Sequence, residues 1–334
     1  MFDLATPPAI EQALRLGAAV AVSISGGKDS QSIIKAVAAH RAQHDWPGPI
    51  FAVHAHLGRA EWRESLPMCS RLAVANGLEL AMVRRAQGDL FDQIVSRLHK
   101  KATDGQPFWP GSAARYCTSD NKRGPIEKKL REFPLVISVE GIRAEESPVR
   151  AKKPVAEVRR RITAQKLSEA TLADAVRSWE PAAGRLALNW YPIHHWTEVE
   201  VYQYAGHSLD ERNERRALYR AGRVEEALQG WQMHPAYIYG NDRVSCNACI
   251  LASGNDLAVG ARHNPAAFRF LRSLEVQSGF SFKNGWSLEQ VEGIVGRFPC
   301  PVCGVEAAFS YADAYWQTDC PACLTVYRLP AGWA

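Results

Sequence analysis

Short apolar or β-branched runs at 18–24, 50–56, 78–83 and 135–140 alternate with stretches of helical spacing near 30–44, 60–76, 89–100 and 121–131. Regular alternation of this kind predicts an α/β fold, a parallel twisted sheet with helices on both faces, Rossmann-like in its winding. Such sheets take ligands at the carboxyl ends of their strands, where the strand order switches. Residues just after strands therefore carry the most functional weight.

Beyond residue 140 the pattern loosens. The basic stretch "AKKPVAEVRRRITAQK" at 151–166, an amphipathic helix after it and the turn signal Pro181-Ala182-Ala183-Gly184 predict an insertion or lid over about 151–185. Helical spacing returns at 197–205 and 256–278, and from Phe298 the chain becomes a small segment bounded by cysteines. The expected organisation is one domain over 1–285 and a second over 296–334, with no internal repeat or low-complexity tract.

Composition narrows the class. A chain of 334 residues with 46% hydrophobic content can bury a sizeable core. Its formal charge of +5 suits an anionic ligand without demanding nucleic acid. The N-terminus lacks a basic segment followed by an apolar one, and no apolar run approaches the roughly 18 residues of a membrane span, so a soluble cytoplasmic protein is expected, with no membrane partner. Eight cysteines are too sparse for a secreted disulfide scaffold, and six of them fall into three Cys-x-x-Cys pairs, which points to metal or redox chemistry.

The first apolar run leads into "SISGGKDS" at 23–30 and then into a helical pattern. Two glycines at a strand-to-helix turn let backbone N–H groups converge on an anion, and the helix N-terminus adds partial positive charge. Within Ser25, Gly26, Gly27, Lys28, Asp29 and Ser30 the hydroxyls can hydrogen-bond phosphate, Lys28 supplies a point charge, and Asp29 can cap the helix or approach Mg²⁺. The stretch does not satisfy the Walker A spacing. It resembles instead the PP-loop, Ser-Gly-Gly-x-Asp-Ser, and that resemblance implies an adenine nucleotide alpha-hydrolase-like fold. It also implies ATP split between its α and β phosphates, adenylate placed on the substrate and pyrophosphate released.

Three further stretches narrow the resemblance to the PAPS reductase branch of that superfamily, which also includes the DNA phosphorothioation sulfur-insertion enzymes. "RYCTSDNKRGPIEKKL" at 115–130 is similar to the branch's cysteine-lysine segment through Cys117, Asp120, Lys122, Arg123 and Pro125. "GIRAEESPVR" at 141–150 is similar to its Gly-x-Arg loop, in which Arg143 and Arg150 would face anionic groups through bidentate guanidinium forks. "YPIHHWTEVEVYQYA" at 191–205 and "HPAYIYGNDRVSCNAC" at 234–249 resemble its later tryptophan and Cys-x-x-Cys segments. The likeness runs from about residue 18 to about 280. Two departures stand out: the second strand ends in His54-Ala55-His56-Leu57-Gly58, followed by Glu61-Trp62, where the reductases carry an Asp-Thr-Gly turn, and no C-terminal Glu-Cys-Gly-x-His segment is present. His54 and His56 share one face of a strand end, where packed or solvated histidines are the commoner outcome.

The cysteines divide into two groups. In the iron–sulfur reductases of the branch a Cys-Cys pair and a later Cys-x-x-Cys hold a [4Fe–4S] cluster. The matching positions here are Tyr116-Cys117 and Cys246 with Cys249, which leaves three ligands and one open iron, an arrangement that favours sulfur insertion over PAPS reduction. The residues alone also allow a zinc site or free thiols there, and Cys69 is either a fourth ligand or a buried free cysteine. Cys300 and Cys303, separated by sixteen residues from Cys320 and Cys323, match zinc-ribbon spacing and predict a structural Zn²⁺ whose binding energy folds the segment, with rubredoxin-like iron as the competing metal. Tyr311, Tyr315, Trp316 and Tyr327 would stack on bases or fill the ribbon's small core, and the arginine run 159–161 would track a phosphate backbone or form a solvated face.

The expected function is a PP-loop enzyme that uses ATP with Mg²⁺ to adenylate a substrate for sulfur transfer, with DNA or RNA as a candidate acceptor and a protein as candidate sulfur donor. Lys28, Asp29, Lys122, Arg123, Arg143 and Arg150 are the expected catalytic residues. The rivals are an authentic PAPS or APS reductase, and a non-catalytic nucleotide-sensing or nucleic-acid-binding module.

Overall fold

The computed structural model describes residues 2–101, 104–166, 171–283 and 287–295, and beyond them the strand backbones 297–299, 306–308, 310–312, 315–319 and 326–330. Two compact units divide the chain. The first comprises Met1–His56, Arg63–Arg84 and Lys122–Leu209; the second comprises Leu57–Trp62, Arg85–Asn121 and Asp210–Ala334.

The first unit is built on six strands: β1 (Ala19–Ser23), β2 (Ile50–Ala55), β3 (Glu79–Val83), β4 (Leu135–Val139), β5 (Ala156–Val158) and β6 (Leu186–Trp190). Their order is β3-β2-β1-β4-β6-β5, and every neighbouring pair is parallel except β5 with β6. Val20 of β1 lies opposite Ile50 on one side and Ile137 on the other, so β1 and β4 flank the point where the strand order reverses.

Both faces of the central strands are covered, which explains why they read as unbroken apolar runs. Val20 and Val22 pack with Ile33, Ile34 and Val37 of the helix Lys28–His44, while Ala19 and Ala21 point the other way, into a cluster with Leu130 of the helix Gly124–Leu130.

The stretch read as a basic insertion departs from expectation, since it supplies β5 and leads to β6. Leu186, Ala187, Leu188 and Trp190 of β6 are fully buried, and within the arginine run Arg160 and Arg161 are exposed while Arg159 turns inward. Arg159 donates to Asn189 Oδ1 at 2.7 Å and to Glu140 Oε1 at 3.0 Å, and its other nitrogen lies 3.5 Å from the buried Glu127 carboxylate. Arg161 approaches the same carboxylate at 3.3 Å. A buried charge must be paired, and these arginines pair it. The apolar stretch 256–278 is likewise two helices, Gly254–His263 and Pro265–Ser278, because Pro265 cannot continue the first and is well suited to open the second.

In the second unit Leu57, Phe91, Ile94, Leu98, Phe108, Trp109, Leu257, Phe268 and Leu271 form one apolar core. Its C-terminal part holds an antiparallel pair, Arg297–Pro299 with Glu306–Ala308, and a three-stranded antiparallel sheet in which Tyr315–Asp319 lies between Ser310–Ala312 and Val326–Pro330. Cys300, Cys303, Cys320 and Cys323 lie outside the described residues. Among the described residues no helix is long and apolar enough to cross a membrane.

One ion pair fastens the turn Gly58–Ala60 to the start of the helix Leu90–Lys101. Arg59 donates to both oxygens of Asp89, from Nε at 2.7 Å and from its terminal nitrogen at 2.8 Å, and Asp89 also accepts the backbone N–H of Arg59 and of Asp92. Burial alone would raise the Asp89 carboxyl, but these hydrogen bonds bring it from 3.8 down to about 2. A depressed carboxylate stabilises the fold above its unfolded pKa, and that contribution disappears as pH falls from about 4 toward 2. Asp89→Asn is therefore expected to cost about 1–2 kcal/mol in urea unfolding at pH 7. Its deficit against the parent protein should shrink across that same acid window.

Candidate functional site

The loop after β1 is pinned before it turns. Ile24 donates its N–H to Val53 O at 2.9 Å, and the Ile24 carbonyl accepts from His54 Nδ1 at 3.0 Å. A carbonyl can only accept, so Nδ1 carries the proton and the tautomer of this buried histidine is set. Gly26 then adopts φ 78°, the left-handed region that favours glycine, and Gly27 is the N-cap of the 17-residue helix that begins at Lys28. Gly27 makes no side-chain cap hydrogen bond, and the positive end of the helix dipole faces the loop. Ser30 closes the loop internally: its hydroxyl donates to Gly27 O at 2.8 Å and accepts from Ser25 N–H at 3.2 Å. Ser25 itself is exposed.

The loop after β4 meets that helix start. Gly141 has no side chain because a Cβ there would sit 3.1–3.2 Å from Cβ and the backbone of Asp29. Two residues on, Arg143 is buried, with Nε 2.6 Å from Asp29 Oδ1 and a terminal nitrogen 2.5 Å from Glu145 Oε2. Burial opposes its charge, yet the Asp29 and Glu145 carboxylates hold its pKa above the ordinary arginine value. Lys28 is also buried, 3.2 Å from Asp29 Oδ2 and 3.6 Å from Glu198 Oε1. Glu198 opens the helix Glu198–Ala205, and its backbone N–H donates to Glu145 Oε2 at 2.6 Å.

The structure thus brings Lys28, Asp29 and Arg143 into one network at the carboxyl ends of β1 and β4. Arg150 lies on the same loop as Arg143 but pairs with Glu146, and its carbonyl accepts from His194 Nε2 at 2.9 Å. Lys122 and Arg123 occupy the π-helical turn Ser119–Arg123, a local irregularity that often marks functional segments. The Arg123 Nε is buried with no hydrogen-bond partner among the described residues, a donor suited to an anionic ligand. Sequence reasoning missed Glu145, Glu198 and the bracing role of His54. The first two lie in the motif segments 141–150 and 191–205, but nothing local announces partners 53 and 170 residues away.

The second unit holds three of the expected metal ligands. Cys117 follows the buried Tyr116, whose hydroxyl donates to Phe108 O at 2.7 Å and whose ring carries the Arg97 guanidinium 4.2 Å from its centroid. Cys246 and Cys249 flank Asn247, which is buried and donates from its backbone to Ala60 O and from Nδ2 to Arg59 O and Glu61 O, each at 2.9 Å. From the other side the helix Gly254–His263 touches the loop at Gly260, where a Cβ would fall 1.8 Å from the Asn247 carbonyl oxygen. The Cys-x-x-Cys loop is therefore clamped by backbone on both sides. Cys117 and Cys246 pack on the same apolar core, and all three thiols are half-buried and free of disulfides. Cys69 belongs to the first unit, fully buried with Sγ 3.5 Å from His54 Nδ1.

A doubly wound sheet with a glycine turn at its switch point is the arrangement of a nucleotide-binding α/β protein. A model of the phosphoadenosine phosphosulfate reductase domain matches residues 19–250, from the first residue of β1 to just past Cys249, and the chain belongs to that family of PP-loop-type nucleotide-binding enzymes. It is also similar, at 25% identity over 279 aligned residues covering 71% of this chain and 68% of the relative, to a protein of Escherichia phage 186 named "Uncharacterized 37.8 kDa protein in gpa 5'region".

The clamp on the cysteine loop is testable without any ligand. Gly260→Ala must displace the Asn247 backbone, so it is expected to destabilise the protein by about 1–3 kcal/mol. Under native conditions it should also speed alkylation of Cys246 and Cys249 relative to Cys69, read by mass spectrometry.

Proposed function

We propose that this protein is an ATP-using PP-loop enzyme that cleaves between the α and β phosphates and adenylates a substrate for sulfur transfer, with a nucleic acid as candidate acceptor and a protein as candidate sulfur donor. The observation that carries the reading is the Lys28–Asp29–Arg143 network set against an uncapped helix N-terminus. Backbone N–H groups and a buried lysine are suited to phosphate oxygens, and preorganised cations stabilise the charge that develops on the transferring phosphorus and on pyrophosphate. Asp29 is the residue suited to Mg²⁺, and Ser25, Gly26, Gly27 and Ser30 form the cradle. Lys122, Arg123 and Arg150 would add positive charge on the nucleotide side.

Cys117, Cys246 and Cys249 are suited to a [4Fe–4S] cluster, a group that would supply an iron able to carry sulfide. Three thiols without disulfides, two of them packed on one apolar core, have the softness such a group needs. We assign the PP-loop domain to about 1–285, with the segment 151–185 as part of it, and a zinc ribbon to 296–334, with Cys300, Cys303, Cys320 and Cys323 on zinc. Reduced thiols of this kind fit the cytoplasm. A second reading, sulfite-forming reduction of PAPS or APS, is favoured by the reductase family match itself.

Two measurements test these readings. Purified protein supplied with ATP, Mg²⁺ and candidate acceptors is expected to release pyrophosphate, and Lys28→Ala to lower that rate at least about a hundredfold. Sulfite from PAPS with a thiol donor, and no pyrophosphate from ATP, would establish the reductase instead; nucleotide binding with neither product would leave a sensing module. Anaerobic purification is expected to yield about four iron, about four sulfide and about one zinc per chain, and Cys246→Ser to lose the iron while keeping the zinc.

A further inference from the structure

Three carboxylates surround the two buried cations of the phosphate site. Asp29 and Glu145 bridge to Arg143, and Asp29 and Glu198 flank Lys28. The side chain of Lys28 is 5% exposed, while that of Glu198 is 34% exposed. The asymmetry matters, because the lysine is almost withdrawn from water whereas the glutamate can turn outward into it.

We propose that Glu198 sets nucleotide affinity by competing with the incoming phosphate for Lys28. This inference rests on the reading of the 23–30 loop as a phosphate site. A buried ammonium must keep a counter-charge at all times. With the loop empty, Glu198 Oε1 at 3.6 Å shares that duty with Asp29; with phosphate present, the anion takes Glu198's place and the carboxylate moves to solvent. Binding is then an exchange of one anion for another, and release of a tightly held polyphosphate is aided by a carboxylate ready to return.

Among the described residues nothing else draws on the Glu198 carboxylate. The helix it opens is capped by Thr197 and Glu200, which exchange hydrogen bonds at 3.2 and 2.7 Å. The link from Glu198 to Glu145 runs through its backbone N–H and survives any substitution of the side chain. Glu198→Gln therefore removes the charge and leaves the scaffold.

The test is calorimetric titration of the full-length protein with inorganic pyrophosphate and with ATP, together with stopped-flow measurement of release. Glu198→Gln is expected to bind both probes about tenfold tighter than the parent and to release them more slowly, since a like charge beside the ligand has been removed. Glu198→Asp should return affinity toward the parent value. A merely structural glutamate predicts the opposite sign, and equal or weaker binding by Glu198→Gln, with an unchanged thermal midpoint, would overturn the proposal while leaving the phosphate site intact. Failure of the parent protein to bind either probe would instead defeat the reading of the loop, and the inference with it.

Discussion

A guanidinium cannot be buried alone, and the whole nucleotide end of the first unit is arranged around that constraint. Arg143 keeps its charge at every accessible pH, so its low exposure demands a carboxylate, and the one it takes belongs to the first turn of the helix after β1. The pair fastens the exit of β4 to the exit of β1, the two strands that flank the reversal of strand order. Gly141 makes the approach close enough, and removing one partner of such a pair costs about 3–5 kcal/mol because the other charge stays behind. The loop is thus rigid on two sides: β2 holds Ile24 through Val53 and His54, and β4 holds Asp29 through Arg143.

How much of this the sequence reveals depends on whether the determining contact is local. β1, β2, β3 and β4 are legible because a parallel strand inside two helical layers is apolar throughout, and the turn at 23–30 is legible because its glycines, lysine and aspartate are contiguous. β6 is obscured by what precedes it. Three arginines in a row read as surface, and Arg160 and Arg161 are indeed exposed, but Arg159 turns inward and, with Arg161, answers Glu127, more than thirty residues upstream on another helix. The same blindness applies at the site, where Arg143 reads as a cation waiting for an anion and the structure shows anions already at hand. His54 is legible as a packed histidine, but its hydrogen bond to the loop after β1 depends on strand register, which no local pattern encodes.

The second unit achieves rigidity by other means. Its cysteine loop is shaped by backbone hydrogen bonds through one asparagine and by the missing side chain of one glycine, with the thiols themselves taking little part. Two thiols held by such a clamp keep their spacing whether or not a metal is bound, and a metal that meets preset ligands loses less entropy on binding. The family match reaches just past Cys249, so the cysteine loop lies within the matched stretch, while Gly260 on the far side of the clamp lies beyond it.

Both sites follow one physical rule at different scales. A reactive group stays in place when the elements around it are committed before the ligand arrives, and each commitment here is made by groups that do no chemistry themselves. In the first unit the commitment is electrostatic, and it brings an inherent opposition: the carboxylates that justify burying Lys28 and Arg143 also reduce the field those cations offer to phosphate. In the second it is steric and carried largely by backbone. An anion bound at the first would have to exchange charge compensation, whereas a metal held at the second would find its backbone clamp already in place, and the two kinds of ligand would differ accordingly in how much of their binding energy is spent on rearrangement.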